Sequence, residues 1–342
     1  MKLGLNTGYW AGGPPPGAAE SIAEAELLGF DSVWTAEAYG SDALMPLAWW
    51  GATTAQIKLG TAIVQISART PAATAMAAMT LDHLSGGRVI LGLGVSGPQV
   101  VEGWYGQSFA KPLARMREYI GIVRDIWARQ GPVVNAGPHY PLPIPDQTGL
   151  GKPLKSSIHP LRPDIPIYLA AEGPKNIAMA GELCEGWLAL FYSPHHDDFY
   201  RDALAEGLRR PGARRTSEDF EVAATVPLIV TDDIEAAADA LRPMYALYFG
   251  GMGAKGTNFH ANVAIRMGYE AEVAKIQELY LSGHKDEAAT AVPTALLQQL
   301  TLIGPADKIR HDLEAWRESL VTTLLIGGDP QTLRTAAELV LG

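Results

Sequence analysis

Apolar positions along the chain fall into two alternating patterns. Short, near-continuous runs of Val, Ile, Leu and Ala alternate with longer stretches in which apolar residues return at the helical period. The first kind reads as strands of a parallel sheet buried on both faces, the second as helices covering it. Predicted strands are KLGLNTG (2–8), DSVWTAE (31–37), IKLGTAIVQI (57–66), RVILGLGV (88–95), IPIYLAAE (165–172), GWLALFYS (186–193), FEVAATVPLIV (220–230) and VTTLLIGG (321–328). Between them, helices are predicted over 21–29, with Ser21 as N-cap, over 43–55, broken near Pro46, and over 72–87, 113–131, 174–184 and 330–341. Two excursions interrupt the alternation: a proline-rich one over 132–163 and a largely helical insertion over 234–319. Eight strands alternating with helices predict a single-domain (β/α)8 TIM barrel spanning 1–342, with the helical insertion between strands seven and eight, rather than a doubly wound sheet.

The end of the fourth strand, RVILGLGVSG, carries Gly92, Gly94 and Gly97 in the spacing G-x-G-x-x-G of a dinucleotide-binding turn. Such a turn belongs in the first βα unit, opens a helix directly, and is followed about 20 residues later by an acidic strand tip. Here it follows the fourth strand, no convincing helix is predicted before residue 113, and Arg115 to Glu118 fall in mid-helix. The dinucleotide reading fails. Gly92 and Gly94 are expected to relieve crowding inside the barrel. Val95, Ser96 and Gly97, at the strand exit, are expected to offer a bare surface to a flat ligand.

Composition narrows the class. Of 342 residues, 47% are hydrophobic and 19% charged, as in ordinary globular enzymes, and the net charge of −10 argues against nucleic acid and anionic membrane surfaces. The one cysteine, Cys184, lies in the apolar run LCEGWLALF and reads as core filler, which excludes a disulfide framework. The N-terminus MKLGLNTGYW has no signal-peptide pattern and no window reaches membrane-span length, so a cytoplasmic location is expected. The run His195-His196-Asp197-Asp198 reads as a solvated loop, and no metal is expected.

Four longer blocks point to a family: SVWTAEAYGSDA (32–43), KLGTAIVQISARTPAATAMAAMTLDHLSGGRVILGLGVSGP (58–98), IYLAAEGPKNIAMAGELCEGW (167–187) and LIGPADKIRHDLEAWRESLVTTLLIGGD (302–329). In one register across almost the whole chain, they resemble the bacterial-luciferase-like superfamily, and within it the actinobacterial oxidoreductases that use the deazaflavin coenzyme F420. The segment GGMGAKGTNFHANVAIRMGYE (250–270) resembles one subgroup of these. The resemblance implies a tricyclic cofactor at the C-terminal mouth of the barrel. Its ring would pack on a non-prolyl cis peptide at Ala62-Ile63, with Gln65 at the ring edge and Val95, Ser96 and Gly97 beside it. Glu37 matches an acidic position near the cofactor and is the candidate catalytic residue. Ala38 stands where the sugar-phosphate dehydrogenases of the superfamily have a catalytic histidine, and Ser96-Gly97 where they have glycine and glutamate, so an acid–base pair is missing.

The segment AAEGPKN (170–176) enters a helix at Pro174, whose free N–H groups form an anion site. The resemblance puts the cofactor phosphate there, nearest Ala171, Glu172, Gly173 and Asn176, with Lys175 as a further donor and Leu190 and Tyr192 flanking the tail. Tyr9 and Trp10 open a stiff loop, AGGPPPG, over the mouth. Met252, Asn258, Phe259, His260 and Arg266 form either a lid over the substrate pocket or a dimer contact. The activity implied is hydride transfer between C5 of F420 and a small organic substrate, with Glu37, Tyr9 or solvent as proton source and a homodimer as the working unit. The alternatives are an FMN-dependent monooxygenase and a non-catalytic deazaflavin-binding protein.

Overall fold

In the computed structural model, which describes residues 1–145, 148–253 and 258–342, the predicted alternation closes into a barrel. The chain runs β1 (Lys2–Asn6), α1 (Ala18–Leu27), β2 (Ser32–Thr35), α2 (Leu44–Gly51), β3 (Lys58–Thr61), β4 (Val64–Gln65), α3 (Pro71–Ser85) and β5 (Val89–Gly94). It continues with α4 (Pro98–Gly103), α5 (Pro112–Ala128), β6 (Ile167–Ala170), α6 (Pro174–Leu183), β7 (Gly186–Ala189), α7 (Asp197–Leu208), β8 (Glu221–Thr225) and β9 (Leu228–Val230). Then follow α8 (Ile234–Ala246), α9 (Phe259–Arg266), α10 (Glu270–Leu281), α11 (Lys285–Thr290), α12 (Thr294–Leu300), β10 (Leu302–Gly304), α13 (Ala306–Glu318), β11 (Thr323–Ile326) and α14 (Pro330–Val340). All barrel pairings are parallel, in the order β3-β2-β1-β11-β8-β7-β6-β5-β4, and β3 also pairs with β5. Because β3 and β4 are halves of one strand interrupted at Ala62-Ile63, the nine segments form eight staves of a (β/α)8 barrel.

The interruption explains two glycines. A Cβ on Gly92 would lie 1.7 Å from the Thr61 carbonyl oxygen, and one on Gly94 would lie 2.7 Å from Ile63 Cδ1. Across the gap the Thr61 hydroxyl donates to Gly92 O and accepts from Gly92 N, both at 2.8 Å, restoring the lost ladder bonds. Trp34, Ile90, Tyr168, Leu188, Ala223 and Leu325 fill the barrel axis, and a larger cluster packs between the strands and the outer helices.

Several element boundaries differ from the sequence reading. Helix α1 starts a turn earlier, so Ser21 is inside it and Gly17 caps it. Pro46 does not break α2, because it lies in the first turn, where no intrahelical donor is required. The glycine run opens a helix directly, but α4 has only 6 residues. His195 and His196 form a 3-10 turn into α7, and Asp197 accepts from Leu320 N at 2.9 Å, so this stretch is a helix start and not a solvated loop. Residues 220–230 are not one strand. Pro227 cannot donate to the barrel ladder; β8 stops at Thr225, and β9 pairs outside the barrel with β10, a strand inside the predicted helical insertion. That parallel pair closes the base of the insertion, whose helices bury a cluster of their own around Tyr245, Phe249, Ile276 and Leu297.

Candidate functional site

Strand parity decides what each mouth residue faces, because successive side chains point to opposite sides of the barrel wall. Ile63, Ile90, Tyr168 and Leu188 pack in the axial cluster, so Gln65, Ser96, Glu172 and Leu190, at even offsets, continue the axial face. Glu37, Val95 and Ala171 lie at odd offsets from Trp34, Ile90 and Tyr168 and turn toward the helical layer. The peptide bond between Ala62 and Ile63 is cis, and both side chains pack on the top of the axial cluster, where they floor the mouth.

This corrects the reading of Glu37. Its carboxylate, 4% exposed, accepts from Arg69 Nη1 at 2.8 Å on both oxygens, from Gln65 N at 2.9 Å and from Ala43 N at 3.3 Å. Arg69 also pairs with Asp42. Glu37 is thus a brace between β2, β4 and α2, its two oxygens already taken by four donors. Val95 packs on the outer cluster and borders a cavity of about 370 Å³ lined by Arg69, Arg115, His139 and Tyr140, so its side chain does not face the mouth. The Ala171 side chain is in the same layer, and its carbonyl accepts from Trp187 Nε1 at 2.8 Å.

Two buried side chains, Gln65 on the axial face of β4 and Asn176 in the first turn of α6, carry unsatisfied acceptors. Gln65 donates its amide to Glu37 O at 3.1 Å and Ala38 O at 2.9 Å, which fixes its orientation. Its Oε1 is buried and has no partner among the described residues. Asn176 donates to Ala170 O at 3.3 Å, and its Oδ1 is left in the same state. Buried polar atoms are rarely left unpaired in a folded chain, so each can accept from a bound group that no described residue provides. A flat heteroaromatic ligand with an N–H edge and a hydroxylated chain would satisfy both. At α6, Gly173 caps without a side-chain hydrogen bond and Lys175 is exposed, leaving the helix start open to an anion. Ser96, with a left-handed backbone (φ 59°), turns the chain away from the mouth ahead of Gly97, which caps α4. The residues fit the deazaflavin implied by the resemblance.

Other expected contacts are redistributed. Phe191 also has a left-handed backbone (φ 58°), which swings Tyr192 off the axial face. Tyr192 is 1% exposed, stacks on Tyr200 with centroids 4.7 Å apart and donates to Asp197, so it does not flank a cofactor tail. Leu190 packs against the insertion's cluster. Trp10 meets Trp50 at 6.3 Å and packs on the outer core, while Tyr9 stays half exposed at the mouth. Phe259 is exposed at the start of α9. Arg266 is committed: Nη2 donates to Glu172 O at 3.0 Å, and the guanidinium lies 4.6 Å over the Phe199 ring. It clamps α9 onto β6 and is not free to line a substrate pocket.

The insertion reaches the mouth through His260, whose Nδ1 lies 2.7 Å from Glu172 Oε1. The Glu172 carboxylate is therefore turned to the histidine and not to an anion at α6. Tyr248, in the π-helical turn Leu247–Gly251, meets the His260 ring edge-on at 4.9 Å and sits beside the Tyr9 phenol. Burial raises the Tyr248 phenol above its usual range. Neither Arg69 nor Tyr248 was marked by the sequence, since each stands in an ordinary helical or loop pattern. Only tertiary contact with Glu37 and His260 identifies them.

The family model for luciferase-like monooxygenases matches residues 4–323. A protein of Mycobacterium tuberculosis that bears the name of a coenzyme F420-dependent oxidoreductase is 57% identical over 99% of this chain and 99% of its own. The coenzyme F420-dependent tetrahydromethanopterin reductase of Methanopyrus kandleri superposes with a TM-score of 0.79 at 21% identity, over 100% of this chain and 99% of its own. An F420-dependent secondary alcohol dehydrogenase, solved with an F420–acetone adduct, gives 0.77 at 18% identity, over 100% and 98%. These two likenesses establish the fold. With a family match running from the first strand to the last, this chain belongs to the luciferase-like monooxygenase family.

Proposed function

We propose that the protein is a coenzyme F420-dependent oxidoreductase acting on a small organic substrate. The observation that carries the reading is a pair of buried acceptors that no described residue satisfies, Gln65 Oε1 next to the Ala62-Ile63 floor and Asn176 Oδ1 at the start of α6. The 57% identical relative named for the same coenzyme supports it. When bound, the deazaflavin supplies the redox chemistry, a hydride gained or lost at C5. The chain's part is positional. Gln65 accepts from the ring edge, Ile63 and Ala62 support the ring face, and Asn176 accepts from the polar chain. The start of α6, with Lys175, holds the phosphate, and the insertion shields the mouth from water. Among the described residues no helix is long and apolar enough to cross a membrane. The working unit proposed is a cytoplasmic homodimer.

Fluorescence titration of the purified protein with oxidised F420, with FMN in parallel, tests the reading. Saturable F420 binding at micromolar or lower concentration, with FMN at least tenfold weaker, is the expected result. Tight FMN binding alone would move the protein to the oxygen-using branch of the family.

A further inference from the structure

Among the described residues that follow the barrel strands, Glu37 is committed to Arg69, position 38 is alanine and Asp329 caps α14, which leaves Glu172, just after β6. The insertion brings a histidine against it. His260 and Glu172 are 88 residues apart in sequence, and their side chains keep 23% and 12% of their exposure, so the pair is neither sealed in the core nor free in solvent. Both are held by their backbones. Asn258 Oδ1 accepts from His260 N at 3.0 Å and Ala261 N at 3.2 Å, while its amide donates to Tyr248 O and Phe249 O. Arg266 grips Glu172 O from the other end of α9. Among the described residues, the bond to Glu172 is the only hydrogen bond the His260 ring makes, and none of them takes Nε2.

We propose that His260, oriented by Glu172, is the acid–base residue of this site, exchanging the proton that accompanies hydride transfer at a carbonyl or alcohol carbon. The proposal rests on the F420 reading above. In the reducing direction the hydride, supplied by reduced deazaflavin, forms a C–H bond at the carbonyl carbon. The π electrons pass to oxygen, and that oxygen takes the Nε2 proton of the imidazolium. A neutral imidazole remains, with Nδ1–H on Glu172; alcohol oxidation runs the same steps backward. A carboxylate behind a histidine fixes the tautomer and stabilises the charged ring, the usual arrangement for such a role. The edges of Tyr248 and Tyr9 frame the approach and favour a neutral, partly apolar carbonyl compound.

The groups facing the pair are Arg266 on α9, Tyr248 on the π-helical turn and Tyr200 on α7, with Tyr9, after β1, and Tyr39, after β2, beside Tyr248. Burial raises the phenols of Tyr200 and Tyr248, so these two do not compete for the proton near neutrality.

The test uses the full-length protein, its His260→Gln and Glu172→Gln variants, and three readouts. F420 titration comes first: failure of the wild type to bind sinks the F420 reading, and this proposal with it. Carbethoxylation of His260 by diethyl pyrocarbonate, followed by peptide mass, reports whether Nε2 faces the site. Severalfold protection by bound F420 is expected, and an unchanged rate overturns the proposal. Oxidation of reduced F420 by a panel of ketones and enals, from pH 5 to 9, is the third. H260Q should bind F420 within about threefold of wild type yet lose about a hundredfold or more in kcat. E172Q should move the pH midpoint of kcat to lower pH. H260Q with wild-type kcat and pH profile overturns the assignment.

Discussion

Gln65 shows how one side chain at a strand exit serves structure and ligand together. Its amide nitrogen ties down the two carbonyls that follow β2, and its oxygen is left unpaired on the axial face. Replacing it with leucine should lower F420 affinity about tenfold, the worth of one hydrogen bond to a ligand, as read by fluorescence titration. An unchanged affinity would remove Gln65 from the site. Gly92 is constrained in the opposite sense, by lack of space. Gly92→Ala drives a methyl into the Thr61 carbonyl, which only a backbone shift at the strand interruption can relieve. A loss of at least about 3 kcal/mol in urea denaturation is expected.

At the scale of elements, ion pairs join the outer helices to each other and to the loops. The brace of Glu37 and Arg69 is almost fully enclosed on the carboxylate side, so Glu37→Gln should cost about 1–3 kcal/mol by turning an amide NH2 on donors from which the carboxylate accepts, while Asp42 still pairs with Arg69. The contact among α5, α6 and the end of α7 is different. Arg117 donates to Glu182 Oε2 at 2.7 Å and Arg210 at 2.6 Å, and the two guanidinium groups hold the Glu182 carboxyl at about 2 instead of 4.5. A carboxyl depressed in the folded state stabilises the fold above its unfolded value and loses that contribution as pH falls toward the folded one. The Tm difference between wild type and Glu182→Gln should therefore be full at pH 6 and shrink progressively between pH 4.5 and 2. A difference independent of pH would show that packing, not charge, joins these helices.

For the whole molecule, cofactor choice and turnover are separable: F420 bound with no turnover on any carbonyl would leave a binding protein, whereas turnover lost in H260Q would make the insertion part of the catalytic apparatus. The barrel itself was legible in the sequence. Parallel strands buried on both faces must be written as continuous apolar runs, so KLGLN, TLLI and IYLA declare themselves, and the glycines at 92 and 94 could be read as relief of crowding. The cis bond at Ala62-Ile63 was legible only through resemblance. What the sequence did not determine was direction. Glu37, Val95 and Ala171 were placed correctly at strand exits, yet strand parity turns their side chains outward, and the left-handed backbone at Phe191 removes Tyr192 from the mouth. Nor did it join His260 to Glu172. The apolar pattern reports which residues are buried, a local property, but a pair 88 residues apart meets only when the insertion closes over the barrel. The sequence by itself determined the layers of this protein; the tertiary structure decided which polar groups face each other across them, because that depends on rotations about the chain that no local pattern encodes.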